Sequence, residues 1–127
     1  MGKKGFKDLI VWQNAKDIAV LIYKVSGDGI FGRDFGLRDQ IRRSAVSIAS
    51  NLAEGDERDT DKESIRFFYI AKGSLAELKT QTQIAYEIGY LEKPVYEKIE
   101  AYCDELGRMI GKLIKVRQGA IGDKGRL

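Results

Sequence analysis

The chain has 127 residues, of which 43% are hydrophobic and 32% charged, a size and balance that suit one domain built around one core. Its 22 basic and 19 acidic side chains leave a net charge of +3, too small on its own to argue for nucleic-acid binding. There is no histidine and a single cysteine, which excludes His-based triads and general bases, His or thiolate metal sites, and an internal disulfide. No run approaches the roughly 20 apolar residues that span a bilayer. The start, MGKKGFKD, has no apolar core after its lysines and so does not read as a signal peptide. The expected location is cytoplasmic.

A first helix is expected over residues 8–25. Val11, Ala15, Ile18, Ile22 and Val25 recur at helical spacing, and Trp12, Ala19 and Tyr23 widen the stripe. Ser26-Gly27-Asp28-Gly29 ends it, because glycine accepts the left-handed conformation of a helix cap. Residues 30–34 read as a short loop.

The second helix, 35–53, has two readable faces. One is apolar: Leu37, Ile41, Ala45, Ile48 and Leu52. The other runs Gln40, Ser44, Ser47, Asn51 and Glu54. Ser and Asn disfavour a helix interior because they compete for backbone hydrogen bonds. A stripe of them points to close helix contact or a hydrogen-bonded network, an assembly surface rather than a reaction centre. Arg42 and Arg43 point about 100° apart, so at least one lies close to the packed interior or to a neighbouring chain. A buried arginine needs a partner, and Glu54 and Glu77 are candidates. An Arg43–Glu77 ion pair is one reading; contact with RNA phosphates is the other. After this helix comes an acidic turn, in which Glu54, Asp56, Glu57, Asp59, Asp61 and Glu63 face only Arg58 and Lys62.

The third helix, 61–88, opens on the capping box Thr60-Asp61-Lys62-Glu63, in which Glu63 reaches back to the Thr60 N–H. Phe67, Phe68, Ala71, Leu75, Leu78, Thr82 and Ala85 line one side, and Gly89 is the stop. Gly73-Ser74 sits mid-helix, where glycine costs about 1 kcal/mol relative to alanine. Close approach of another helix, against Ser44, Ser47 and Asn51, explains it better than a ligand pocket. Phe67, Phe68 and Tyr69 span about 200° of helix surface, so one of them should meet another subunit or a partner, with base stacking as the alternative.

Pro94 suits the first turn of a fourth helix, 94–117. Val95, Ile99, Tyr102, Leu106, Met109, Leu113 and Val116 alternate by four and three, the pattern of a helix seam. Cys103 falls within an apolar stripe and reads as a buried thiol. Residues 118–127 carry no period and are expected to be disordered. From Arg108 onward the chain is basic: Arg108, Lys112, Lys115, Arg117, Lys124 and Arg126 oppose Asp123 alone, and Lys3, Lys4 and Lys7 make a basic head. Such polarity steers an anionic partner or guides self-assembly.

Nothing reads as a strand. Four amphipathic helices joined by short loops predict an all-α, antiparallel up-down-up-down four-helix bundle, with residues 1–127 as a single domain. The glycines at 27, 29 and 32 lack the ending and the preceding strand of a phosphate loop. Carboxylate pairs such as Glu54 with Glu77 read as solvated. No catalytic residue, cofactor, metal or small-molecule substrate is expected.

The motifs Phe6-x-x-Leu9-x-Val11-Trp12, Gly36-Leu37-x-x-Gln40-Ile41-Arg42-Arg43-Ser44-Ala45-x-Ser47-Ile48, Asn51-x-Ala53-Glu54-Gly55-x-x-Arg58 and Phe67-x-x-x-Ala71-x-Gly73-Ser74-x-x-Glu77-Leu78 resemble one bacterial family over residues 6–116. It is the four helix bundle protein family, also called the S23 ribosomal protein or 23S rRNA intervening-sequence protein family. The chain is also similar to the accessory variability determinant of diversity-generating retroelements, a basic pentamer that binds nucleic acid and a reverse transcriptase. The resemblance implies a four-helix bundle that assembles as a homopentamer. The resulting expectation is a non-enzymatic homo-oligomer that binds structured RNA such as 23S rRNA, or a ribonucleoprotein. The alternative is a protein-interaction scaffold without direct nucleic-acid binding. Candidate nucleic-acid contacts are Arg42, Arg43, Arg58, Lys112, Lys115 and Arg117. Candidate packing or interface positions are Ser44, Ser47, Asn51, Glu54, Gly73, Ser74 and Glu77.

Overall fold

The computed structural model describes residues 5–125, with side chains through Ile121. A 3-10 turn at Phe6–Asp8 leads into five helices: α1 (Ile10–Val25), α2 (Gly29–Arg33), α3 (Phe35–Asp56), α4 (Asp61–Glu87) and α5 (Lys93–Gly125). No strand occurs among the described residues. The expected simple four-helix bundle is therefore corrected to an all-α fold of five helices, one of them short. No described helix is long and apolar enough to cross a membrane.

The helix absent from the expectation is α2, in the segment read as a loop. Five residues, two of them glycine, are too short to display a period. Its structure comes from tertiary anchoring. Phe31 is 2% exposed, and its ring centroid lies 5.2 Å from that of Tyr90. Immediately after it, Asp34 caps α3: one carboxylate oxygen accepts from the Leu37 N–H at 3.1 Å, the role that favours Asp at a helix start. The other oxygen accepts from the Tyr90 hydroxyl at 2.8 Å. The Leu37 N–H first, and the Tyr90 hydroxyl second, hold Asp34 below its ordinary pKa, and the bond to Asp34 raises that of Tyr90.

The α4 start differs in detail from the expected capping box. Thr60 Oγ1 accepts from the Glu63 N–H at 3.2 Å, but the Glu63 carboxylate accepts from the Thr60 hydroxyl, also at 3.2 Å, rather than from the Thr60 N–H. Gly89 follows α4 with φ +87, a left-handed conformation that glycine adopts without steric penalty.

The pairing of α3 with α4 is the most extensive, followed by α4 with α5 and α1 with α3, while α1 meets α5 more lightly. The core side chains come from the expected stripes of α1, α3 and α4, among them Ile18, Ile22, Ile41, Ile48, Leu52, Phe68 and Leu78. Fully burying each side chain of this kind stabilises the fold by roughly 1.5–3 kcal/mol. In α5 the expected seam is rotated. Ile99, Cys103, Leu106, Ile110 and Ile114 are buried, whereas Tyr102 is 44% and Val116 60% exposed. The four-three alternation describes 3.5 residues per turn, which drifts about 20° per heptad on a straight α-helix. The buried set is spaced four, three, four and four, and so drifts the opposite way round the helix. Cys103 is fully buried, and burial pushes its thiol up to about 12.

The expected disordered tail is also corrected, since α5 continues to Gly125; residues 126–127 lie outside the described residues. Close approach occurs at Gly55 rather than Gly73. A Cβ on Gly55 would stand 2.5 Å from Phe68 Cε1 and 3.0 Å from the Ser64 carbonyl oxygen, whereas one on Gly73 would meet nothing within 4 Å.

Because Phe68 is itself fully buried, Gly55→Ala should destabilise the chain by about 1–3 kcal/mol through overpacking. Urea melts measure this, and an unchanged midpoint would refute the close contact. Asp34 supplies a pH dependence. Its folded pKa lies below the ordinary 3.8, so its contribution is present above that value and lost as pH falls through the folded one. Between about pH 5 and about pH 2 the wild-type chain should lose more stability than Asp34→Asn. Parallel pH profiles would show that the Asp34 cap is not charge-dependent.

Candidate functional site

Two regions gather the sequence-derived candidates. The first is the polar side of the α3–α4 seam. Ser47 Oγ and Ser74 Oγ share a hydrogen bond of 2.8 Å across the two helices. Asn51 Nδ2 donates to the Ser47 carbonyl at 2.8 Å and to Ser47 Oγ at 3.1 Å. Ser44 and Ser74 are buried. Small hydroxyl side chains let the helices close up while keeping their polar atoms satisfied. Above this network lies a groove of about 380 Å³ bounded by Gln40, Arg43, Ser44, Ser47, Ser74, Glu77 and Gln81. The buried Gln81 Oε1 has no hydrogen-bond partner. Arg43 and Glu77 flank the groove, both exposed, and do not form the ion pair read as one alternative for them. Glu54 lies at the far end of α3, where it accepts from Arg58 at 3.2 Å.

The second region comprises the basic candidates, which the fold separates into two kinds. Arg42, Arg58 and Arg117 are engaged within the chain. Arg42 closes the end of α1: its Nε donates to Ser26 Oγ at 2.8 Å and its Nη2 to the Tyr23 carbonyl at 3.2 Å. Its guanidinium carbon lies 4.5 Å from the Tyr23 ring centroid. A cation satisfying the last carbonyls of a helix also opposes its dipole. Arg58 bridges Glu54 on one side and lies 4.5 Å from the Phe67 ring centroid on the other.

Arg117 is the most committed. It bridges Asp56 at 3.3 Å and Asp61 at 3.2 Å, with the Asp56 side chain only 1% exposed. These bonds fasten α5 to the turn between α3 and α4, and Gln118 adds a donation to the Tyr69 hydroxyl at 3.3 Å. This anchoring explains why α5 continues where the sequence pattern fades. Lys112 and Lys115, with their neighbour Arg108, are exposed and have no ion pair among the described residues. The side chains of Lys3, Lys4, Lys124 and Arg126 lie outside those described.

Sequence reasoning did not single out Asp34, Tyr90 or Ser26. For Asp34 a signal existed, an Asp directly before an apolar-periodic helix. The pairing of Arg117 with Asp56 and Asp61, more than fifty residues away, left none. Of the aromatic triplet, Phe68 enters the core, Phe67 is half-buried under Arg58, and Tyr69 is 48% exposed. Between α4 and α5, Lys79 pairs with Asp104 at 2.7 Å, and that bond raises the lysine's pKa.

No group of three or more acidic or cysteine side chains that could hold a metal ion occurs among the described residues. The seam offers hydroxyl and amide groups beside the Arg43 guanidinium and the Glu77 carboxylate. Fold and site together define an all-helical protein with a polar helix seam. The chain belongs to the 23S rRNA-intervening sequence protein family, whose profile matches residues 7–112. Among solved structures it shares its fold with a protein of unknown function from the S23 ribosomal protein family of Bacteroides thetaiotaomicron. The TM-score is 0.77 at 24% identity, covering 84% of this chain and 99% of that one. No curated protein is significantly similar in sequence.

Arg117→Ala, which removes the guanidinium that ties α5 to the turn between α3 and α4, should lower stability by about 1–3 kcal/mol, whereas the exposed Arg43→Ala should stay within about 0.5 kcal/mol. Thermal melts followed by circular dichroism distinguish the two. Equal effects would show that the Arg117 bonds to Asp56 and Asp61 do not stabilise the fold.

Proposed function

We propose that this protein is a non-enzymatic homo-oligomer, a pentamer by family resemblance, that binds structured RNA such as 23S rRNA or a ribonucleoprotein. The observation that carries the reading is the state of the basic residues at the end of α5. Arg108, Lys112 and Lys115 stand exposed and without carboxylate partners among the described residues, whereas Arg117 beside them is held by two aspartates. Cations without internal partners are available to phosphates, and a weak patch repeated around a ring gains strength through avidity. Exposed apolar side chains on α4, Ile70, Ile84 and Ile88, support self-association.

A second reading, a scaffold for another protein, is favoured by one feature. The groove between α1 and α3, about 680 Å³, is walled chiefly by apolar side chains including Trp12, Ala19, Val20, Val46 and Ala49. That reading expects a specific protein partner whose recovery survives nuclease treatment.

Binding of the purified chain to structured rRNA fragments across a salt series tests the RNA reading. Affinity should fall steeply with salt, with a log–log slope of about −0.9 for each phosphate contact on a duplex. Absence of binding at low salt, or affinity indifferent to salt, would overturn it. The same sample should sediment at several times the mass of one chain; a monomer throughout would remove the oligomer.

A further inference from the structure

We infer that the RNA-contacting surface is the seam between α4 and α5, where Lys72, Arg108, Lys112 and Lys115 form one cationic strip with Tyr69 at its end. This assignment rests on the RNA-binding reading above and locates it.

From Arg66 through Ala76, α4 carries no carboxylate, and from Arg108 through Ile121, α5 carries none. The basic run from Arg108 shows in the sequence, but the α4 stretch lies about forty residues away from it. The fold sets them side by side. Tyr69 meets Gln118 and Lys79 meets Asp104, so the helices run antiparallel in a register that places Lys72 opposite the turn bearing Lys112 and Lys115. In the same register Ala76 falls opposite Arg108. Leu75 confirms the register, with its Cδ2 3.4 Å from where a Cβ on Gly107 would stand.

Arg108, Lys112 and Lys115 follow an i, i+4, i+7 spacing, so they share one exposed edge of α5 over about 10 Å of helix. That length matches roughly three phosphates along one strand of a duplex. Lys72 lies 6.0 Å from the Tyr69 ring centroid and brings a fourth cation from the other helix. Between these cations the surface is low: a Cβ on Gly111 would meet nothing within 4 Å, and Ala76 is exposed. A polyanion backbone can therefore approach the helices closely.

Nearby carboxylates are directed elsewhere. Asp56 and Asp61 hold Arg117, and Asp104 holds Lys79. Glu77 belongs to the groove on the α3 side of α4, and Glu105 to the groove between α1 and α5. Like charges collected without counter-charges repel one another, and an external polyanion relieves that repulsion while releasing its own condensed counterions. Tyr69 favours RNA over a plain anionic surface. Its ring is 48% exposed at the end of the strip, where it can stack on an unpaired base.

The experiment is anisotropy of a labelled RNA hairpin with an unpaired loop, titrated with the full chain at about 0.1 M salt and across a salt series. The double variant Lys112→Glu/Lys115→Glu should bind about tenfold or more weakly, and its salt slope should shrink by about 2. Tyr69→Ala should weaken binding while leaving the salt slope unchanged. Arg58→Glu, a charge reversal off the strip, should stay within about twofold. Both lysines are exposed, so circular dichroism melts should match wild type. Equal losses for Arg58→Glu and the double variant, or no loss in either, would overturn the strip while leaving RNA binding intact. A wild-type chain that ignores the hairpin at low salt would instead overturn the RNA reading itself. Wild-type binding to anionic lipid vesicles but not to the hairpin, abolished in the double variant, would reassign the strip to a membrane surface.

Discussion

The ring of Phe68 occupies the space that a side chain at position 55 would fill, and much of the architecture follows from that contact. With no Cβ at Gly55, the end of α3 can settle against the start of α4. The Ser47–Ser74 hydrogen bond then falls into place further along the same seam. On its polar side the seam is lined by small residues, with Ser47 bonded to Ser74 and Asn51, so its two helices approach closely. The turn joining them must be tight. Its acidic residues become a fixed anchor on which Arg117, arriving from the far end of the chain, can be held.

That anchor changes the meaning of the basic tail. In the sequence, Arg108, Lys112, Lys115 and Arg117 look alike. In the fold they divide, because one faces two carboxylates and the others face solvent. A guanidinium held by two partners in a largely buried setting is structural, while exposed cations with no partner leave their field available to other molecules. The same division separates Arg42, spent on the Tyr23 carbonyl and the Ser26 hydroxyl at the end of α1, from Arg43, its neighbour at the mouth of the polar groove. Adjacent residues on a helix can differ so sharply because a step of 100° moves a long side chain from a packed edge to open solvent.

This member of the 23S rRNA-intervening sequence protein family presents three surfaces: the apolar groove of α1 and α3, the polar groove of α3 and α4, and the exposed cations of α4 and α5.

Much of the fold was legible in the residues. The helical class, the four long helices, the buried stripes of α1, α3 and α4, and the stop at Gly89 all express local rules of period and conformation, which a single chain carries in its own order. The short helix α2 was not legible, because five residues show no period and Phe31 is held by Tyr90 from the other end of the sequence. The rotation of the α5 stripe was hidden too, since that helix has apolar residues around more than half its circumference and only its neighbours decide which half is buried. The candidate site was legible as a set of residue types, and less so as a place. Which arginines are spent internally, and which cations stand together, depends on register between helices distant in sequence. Residue order determined that the chain would be helical, and composition that it would carry no histidine. Packing alone decided where its free charge would lie.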